Sequence, residues 1–326
     1  MPKRVAIPKK QKPPKKRKES MITGKNWNNM PMEMKVMIMK NMDVVTRTAL
    51  KLCSKSDKCL VETFPMDVSK LTASSPSYGG KEFSLIDSQS GSIGLEVSQL
   101  DNRVTVSKYG KKRIHRLKNE KEAVETIERW FYSILRTKNI RIKSFDTDWD
   151  LIERNIKKKT VLNFNSVRIA TKCGQECGRW LKHVAPGVEE IRTACGSRTS
   201  GIAAIPCVLQ AKNIYLQCSD TNNEMLLGFK ANQLCLKCSH VNIEGIRNFI
   251  KKWIDEDYPI GSNFLFEIYQ HSPHPQIPND MFNGFETERM ANNTTKIQMG
   301  QNKALHVEIE AHRYRLVFKG GVNAKK

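Results

Sequence analysis

The most reactive side chains in this sequence are its nine cysteines: Cys53, Cys59, Cys173, Cys177, Cys195, Cys207, Cys218, Cys235 and Cys238. Two pairs have metal-ligand spacing, Cys173-x-x-x-Cys177 and Cys235-x-x-Cys238. Structural zinc wants four convergent ligands. Cys235 lies in a strand-like run between Leu234 and Leu236, so its odd offset from Cys238 sends the two thiols to opposite faces. Other cysteines sit in apolar runs such as Pro206-Cys-Val-Leu209, where a thiol behaves as a small buried hydrophobe. An odd count argues against a complete intrachain disulfide set and fits a reducing compartment. The thiols are therefore expected to be structural, with no metal and no cofactor. A cysteine nucleophile would need a base and an orienting group, and His183 and His240 are near only in sequence. His271-Ser-Pro-His-Pro-Gln276 puts two histidines in a Pro-rich loop, where solvation is the simpler reading. Asp146-Thr-Asp-Trp-Asp150 collects carboxylates suited to capping a helix that follows. The sequence holds no Walker A, Gly-x-Ser-x-Gly, His-Glu-x-x-His or Gly-x-Gly-x-x-Gly motif. The expected protein is not an enzyme.

Charge is the second chemical signal. The formal net charge is +22 over 326 residues, and residues 1–20 hold nine Lys/Arg and one Glu. Such a field attracts nucleic acid, anionic lipid or acidic protein surfaces. Residues 1–24 are rich in Lys and Pro, show no apolar period and are expected to be disordered. Within them Lys15-Lys16-Arg17-Lys18, after Pro14, has the form of a nuclear localisation signal; the plainer alternative is a solvated basic tail. Lys108 to Lys121 (KYGKKRIHRLKNEK) is the densest basic stretch outside the tail. It has one Tyr and no Phe or Trp, so a stacking platform for single strands is missing, and it reads as a solvated basic loop before a helix. No run approaches the ~18 apolar residues of a membrane span, and no apolar h-region follows the basic N-terminus. The expected location is nucleus and/or cytoplasm, with no membrane partner.

These residues need elements to hold them. From Pro31 to Met42 the period is helical: Met34, Met37, Ile38 and Met42, with Met30 just outside, form one apolar stripe. Pro31 suits the first turn. Asp43 can cap a second helix through Val44, Val45 and Leu50, and Ser54 or Ser56 can start a third carrying Cys59, Leu60 and Val61. Three helices this short bury too little to stand alone, so a partner or neighbouring domain must cover part of them.

Phe83–Ile86, Ser92–Val97 and Arg103–Ser107 alternate like strands between Gly and Asp-Asn turns, predicting a short antiparallel meander. Lys121–Thr137 is helical, with Ala123, Val124, Ile127, Trp130, Phe131, Ile134 and Leu135 on its apolar positions. Strand-like runs then begin near Ile140, Val167, Ile191, Ile214, Leu234 and Phe264, at intervals of roughly 20 to 30 residues, the range of leucine-rich-type repeats. Helical stretches lie between them at Glu176–Val184, Asn223–Phe229 and Glu244–Ile254. Each unit must stack on its neighbours; the alternative is a generic α/β domain with a partly parallel sheet. Ala304–Phe318 adds two strands that could close one edge.

The first module resembles an F-box. Met30-Pro31-Met32-Glu33-Met34, then Ile38, then Met42-Asp43 follow that family's first helix. Arg47, Leu50, Leu52 and Cys53-Ser54-Lys55 follow its second half, and Trp27 with Arg-x-x-Leu-x-x-Cys-Ser-Lys is similar to the large nematode branch. Met replaces Leu at 30 and 42, and the Trp usual in the third helix is absent, Asp57 or Lys58 lying there. Lys212-Asn-Ile-Tyr-Leu216, Leu226-Leu227, Asn242 and Phe249-Ile-Lys-Lys-Trp-Ile254 resemble the F-box-associated domain of the same proteins.

The resulting fold class is α+β, a three-helix F-box followed by a β/α leucine-rich-repeat-like domain. The expected division is a basic tail over 1–24, the F-box over 25–68, a strand-rich connecting region over 69–120, the F-box-associated domain over 121–319 and a basic tail over 320–326. The resemblance implies a substrate receptor of an SCF-type (cullin–RING) ubiquitin ligase. Its F-box would dock a Skp-family adaptor, and through it cullin, using Met30, Pro31, Glu33, Met34, Met37, Ile38, Met42 and Leu50. The downstream domain would bind a protein substrate that the sequence does not name. The second reading, carried by charge, is a nuclear basic nucleic-acid-binding protein, whose binding would fall steeply with salt.

Overall fold

The computed structural model describes residues 27–87, 93–108, 110–137, 139–151, 156, 160–195, 201–269, 275–276, 280–290, 293–300 and 302–325. The basic run Lys15–Lys18 and the His271/His274 pair lie outside them. The chain divides into two compact units, 1–42 and 43–326.

In the first unit a 3-10 turn (Trp27–Asn29) precedes helix α1 (Met32–Lys40). Lys35 Nζ stands 5.7 Å from the centre of the Trp27 ring, a cation–π contact that ties the turn to the helix. Pro31 is extended (φ −51°, ψ 147°) and occupies the N-cap position, just outside the first turn expected for it. Asn41 Nδ2 donates to the Met37 carbonyl at 3.0 Å and closes the far end.

The second unit opens with α2 (Val44–Leu50) and α3 (Lys55–Thr63). Both start as their sequence predicts. Asp43 Oδ1 accepts from Thr46 N at 2.7 Å, and Ser54 Oγ accepts from Asp57 N at 3.0 Å, each satisfying an otherwise orphaned helical donor. Leu60 and Val61 are buried, whereas Cys59 is exposed. The helices are fastened to the sheet that follows by polar bonds as well as packing. Arg47 is buried and donates from Nη1 to Pro65 O at 2.9 Å. Burial pulls its pKa down, with Asp87 and Asp67 opposing. Asn139 Nδ2 donates to Val61 O and Phe64 O at 2.6 and 2.7 Å.

Among the described residues one mixed sheet of fifteen strands follows: β1 (Met66–Ser74), β2 (Lys81–Asp87), β3 (Ile93–Leu100), β4 (Arg103–Lys108), β5 (Lys111–Arg116), β6 (Ile140–Thr147), β7 (Phe164–Ile169), β8 (Glu190–Thr193), β9 (Asn213–Asn222), β10 (Gln233–His240), β11 (Asn263–Tyr269), β12 (Thr287–Arg289), β13 (Thr294–Met299), β14 (Lys303–His312) and β15 (Arg315–Ala324). The order is β12-β13-β14-β15-β11-β10-β9-β8-β7-β6-β1-β2-β3-β4-β5. Strands β1 and β6 to β11 are mutually parallel, with antiparallel flanks on both sides. Helices α4 (Glu120–Leu135), α5 (Gly174–Lys182), α6 (Pro206–Leu209), α7 (Asn223–Gly228) and α8 (Ile243–Asp255) fall between strands.

The parallel strands are laced at their beginnings. Glu189 N donates to Asn165 O, Asn213 N to Glu189 O, Asn232 N to Lys212 O and Asn263 N to Asn232 O, all at 2.8–2.9 Å. Asn222 and Asn242 cap α7 and α8 with nearly identical backbone angles, accepting from Met225 N and Gly245 N.

Four parts differ from the sequence reading. Region 69–120 does not merely connect: β1 pairs with β6 in parallel, so strands β1 to β5 belong to the same sheet. The basic stretch 111–116 is strand β5, paired with β4, and not a loop. Strands β12 and β13, short and polar, gave no apolar alternation to read. Finally, residues 320–324 are the end of β15 and not a tail. Gly320 pairs with Phe264, and any Cβ there would overlap the Phe264 ring. Gly320→Ala is therefore expected to lower stability by about 1–3 kcal/mol, the usual cost of overpacking, read as a lower urea midpoint; unchanged stability would show that the β11–β15 contact is looser than drawn.

Candidate functional site

Two surfaces emerge once the elements are placed. The first is α1. Its residues Met32, Met34, Met37 and Ile38 are exposed, Met37 to 66%, while Met39, which the sequence stripe omits, is fully buried. Pro31 and Glu33 are exposed at the start of the helix, and Met30 and Met42 are half-buried. The stripe is thus an apolar face left in solvent. In the second unit Leu50 is half-buried near the end of α2, and Leu52 beyond it is 83% exposed. Exposed large apolar groups grouped on one helix mark a contact surface more often than chance exposure does.

The second surface is the side of the parallel sheet that carries no helix among the described residues. Phe145, Val167, Ile191, Ile214, Leu234 and Phe264 are aligned in register and buried. At the two ends of that row the helices cover it: Phe145 packs on Phe131 of α4 and Trp180 of α5, and Phe264 on Phe249 and Trp253 of α8. Side chains alternate along a strand, so the next row faces the opposite way: Asp146, Arg168, Arg192, Tyr215, Cys235 and Leu265. There Arg168 Nη1 lies 3.8 Å from Asp146 Oδ2, and Arg192 Nε bonds Glu190 Oε1 at 2.6 Å. The Arg192 guanidinium stacks 4.3 Å from the centre of the Tyr215 ring, and Tyr215 Oη donates to Gln233 Oε1 at 2.7 Å. These bonds preset the side chains of a polar, aromatic-bearing face. The sequence reading missed this row because its members are scattered singly through six strands.

The candidate chemistry resolves into structure. Cys177, Cys195 and Cys207 are buried. The Cys177 thiol hydrogen-bonds Cys195, which together with burial pushes its pKa well up, and burial raises Cys207 to about 12. Cys207 Sγ donates to Leu181 O at 3.3 Å. Protonated thiols such as Cys177 and Cys207 are poor nucleophiles; Cys195, stabilised as thiolate by the Cys177 and Thr171 hydrogen bonds against the opposing effect of burial, has its pKa lowered to about 7. Cys173 is exposed at the start of α5 and does not join them, and Cys235 faces the second surface; the side chains of Cys218 and Cys238 lie outside the described residues. Among the described residues no group of three or more His, Cys, Asp or Glu converges as a metal site would require.

The carboxylates at 146–150 also part company, and the helix they were expected to cap falls outside the described residues. Asp146 is on the open face, Asp148 Oδ1 accepts from Ser75 N at 2.8 Å, and Trp149 is buried with its carbonyl accepting from Trp180 Nε1 at 2.8 Å. Where a following helix would lie, residues 152–155 and 157–159 are outside the described set.

No helix of the described residues is long and apolar enough to cross a membrane. No solved structure matches the chain. An uncharacterised F-box protein of Caenorhabditis elegans is 22% identical over 269 residues, covering 71% of this chain and 67% of that one. An F-box domain in general marks a non-catalytic substrate adaptor of an E3 ubiquitin ligase, bound through a Skp-family subunit. Residues 27–68 of this chain match the F-box domain, and they contain α1, α2 and α3.

Proposed function

We propose that this chain is the substrate-recognition subunit of an SCF-type (cullin–RING) ubiquitin ligase. The observation that carries the reading is an exposed apolar face on α1 inside a segment matching the F-box domain. Met34, Met37 and Ile38 bury against a Skp-family adaptor together with Met30, Pro31, Met42 and Leu50, and Glu33 sits at the polar rim. The adaptor in turn joins cullin. The chain itself breaks no bond; it raises the effective concentration of a bound substrate near the transferred ubiquitin.

Substrate engages the sheet domain, which we read as an F-box-associated, leucine-rich-repeat-like array. The backbone bonds from one strand start to the next and the repeated Asn222 and Asn242 caps support the repeat reading. Its row Arg168 to Leu265 is the presented face. Lys15–Lys18 serves as the import signal that would place the complex in the nucleus.

Coexpression with a Skp-family adaptor tests the proposal: the two chains are expected to copurify as a stable complex at moderate salt. Failure to associate, with tight salt-sensitive binding to nucleic acid instead, would replace it by the reading based on charge.

A further inference from the structure

We propose that β5 is a docking edge for an extended acidic peptide, which adds to the sheet as one further strand. Strand β5 is the last at its margin, with six residues, all exposed. The opposite margin ends in β12, only three residues long, whose Glu288 is paired to Lys296 at 2.8 Å.

Leu117 N donates to Asn102 O at 2.9 Å, which fixes the phase of the β4–β5 hairpin. Antiparallel alternation then turns the backbones of Lys111, Arg113 and His115 toward β4 and those of Lys112, Ile114 and Arg116 outward. Three N–H and C=O groups therefore line an edge that no strand among the described residues pairs. Among the described residues, Lys111, Lys112, Arg113 and Arg116 form no ion pair, whereas Lys108 one turn away is held by Asp43 at 3.3 Å. Ile114, 62% exposed, provides one apolar anchor among them.

Lysines on an edge strand commonly guard it against aggregation, and here they do repel a second copy of the same edge. That very charge makes an acidic strand the favoured occupant, since opposite charges across neighbouring strands attract and like charges are penalised. Nucleic acid fits less well. The strand offers no Phe, Tyr or Trp ring for stacking, and its outward carbonyls would face phosphate oxygens. Peptide binding at the edge stands apart from the ligase reading; identifying the peptide as a segment of the ligase substrate rests on it.

The test uses the full chain and a fluorescent peptide of alternating Glu and Val long enough to span β5. Saturable binding is expected, weakened about tenfold or more, or ~1.4 kcal/mol, when alternate peptide amides are N-methylated. Ile114→Pro removes only an outward N–H and is expected to cause a similar loss, as is Lys112→Glu with Arg116→Glu. Melting profiles matching wild type would show that the variants remain folded; if Ile114→Pro melts early, the charge-reversed variant carries the test. Equal binding of the methylated peptide, tighter binding of a single-stranded oligonucleotide, or no binding of the acidic peptide overturns the proposal. Adaptor copurification of the same samples separates the two readings. Adaptor without peptide sinks the docking edge alone, and peptide without adaptor sinks the ligase assignment alone.

Discussion

Pro31→Ala combined with Ile38→Asp is expected to abolish copurification with a Skp-family adaptor while leaving the sheet domain folded. Ile38 is exposed in the free chain, so a carboxylate there stays in water and costs the monomer little. At the end of a helix an acid opposes the macrodipole by roughly 0.3–1 kcal/mol. Docking changes the balance. An apolar interface would strip water from the new carboxylate, a cost of several kcal/mol if nothing pairs with it, which is enough to reduce affinity by about 10³-fold or more. Pro31→Ala additionally frees the extended residue that delivers the chain into α1. Met39→Ala is the contrasting variant: Met39 is fully buried, so its loss should disturb the helix itself and not only the contact. Thermal melts alongside the pull-down distinguish the two. A double variant that still copurifies normally would mean that the docking face is elsewhere on the chain.

Much of this site could be read in advance because helical periodicity and caps are local properties. Asp43 and Ser54 act where their sequence neighbours say they should. The α1 stripe was legible too, but periodicity marks an apolar face without saying whether the chain or a partner covers it. Met39 against Met37 shows the difference: residues of one type two positions apart, one buried and one 66% exposed. The strands from Ile140 to Phe264 are visible because each carries buried apolar residues at alternate positions. What was hidden depends on pairing between distant segments. That β1 lies beside β6, and that β15 inserts next to β11, follows from register alone. Strand β5 was misread as a loop because an edge strand exposed on both faces has no apolar alternation to display. The open-face row has no sequence signature at all, since its members share only a position in the register.

The largest stability effect is expected from Phe131→Ala in α4, about 3–5 kcal/mol, read from urea denaturation of the full chain. The sequence places Trp130 and Phe131 equally on the apolar side of this helix, yet the structure separates them. Phe131 is fully buried, with ring centres of Trp149, Tyr132, Phe83, Phe145 and Trp180 at 4.9, 5.1, 5.9, 6.3 and 6.4 Å. It therefore joins β2, α4, β6 and α5, and its removal leaves a cavity whose walls belong to four elements. Such walls cannot all move inward, because Trp149 is held by Trp180 through its carbonyl and lies beneath Lys81, 5.0 Å from the ring centre. Lys81 is in turn paired with the buried Glu128. Trp130, 38% exposed, is the control: Trp130→Ala is expected to change stability by no more than ~0.5 kcal/mol, as surface substitutions usually do. If the two variants are destabilised equally, the helix is rotated from the orientation described, and the covering of the β6 end of the sheet must be redrawn with it.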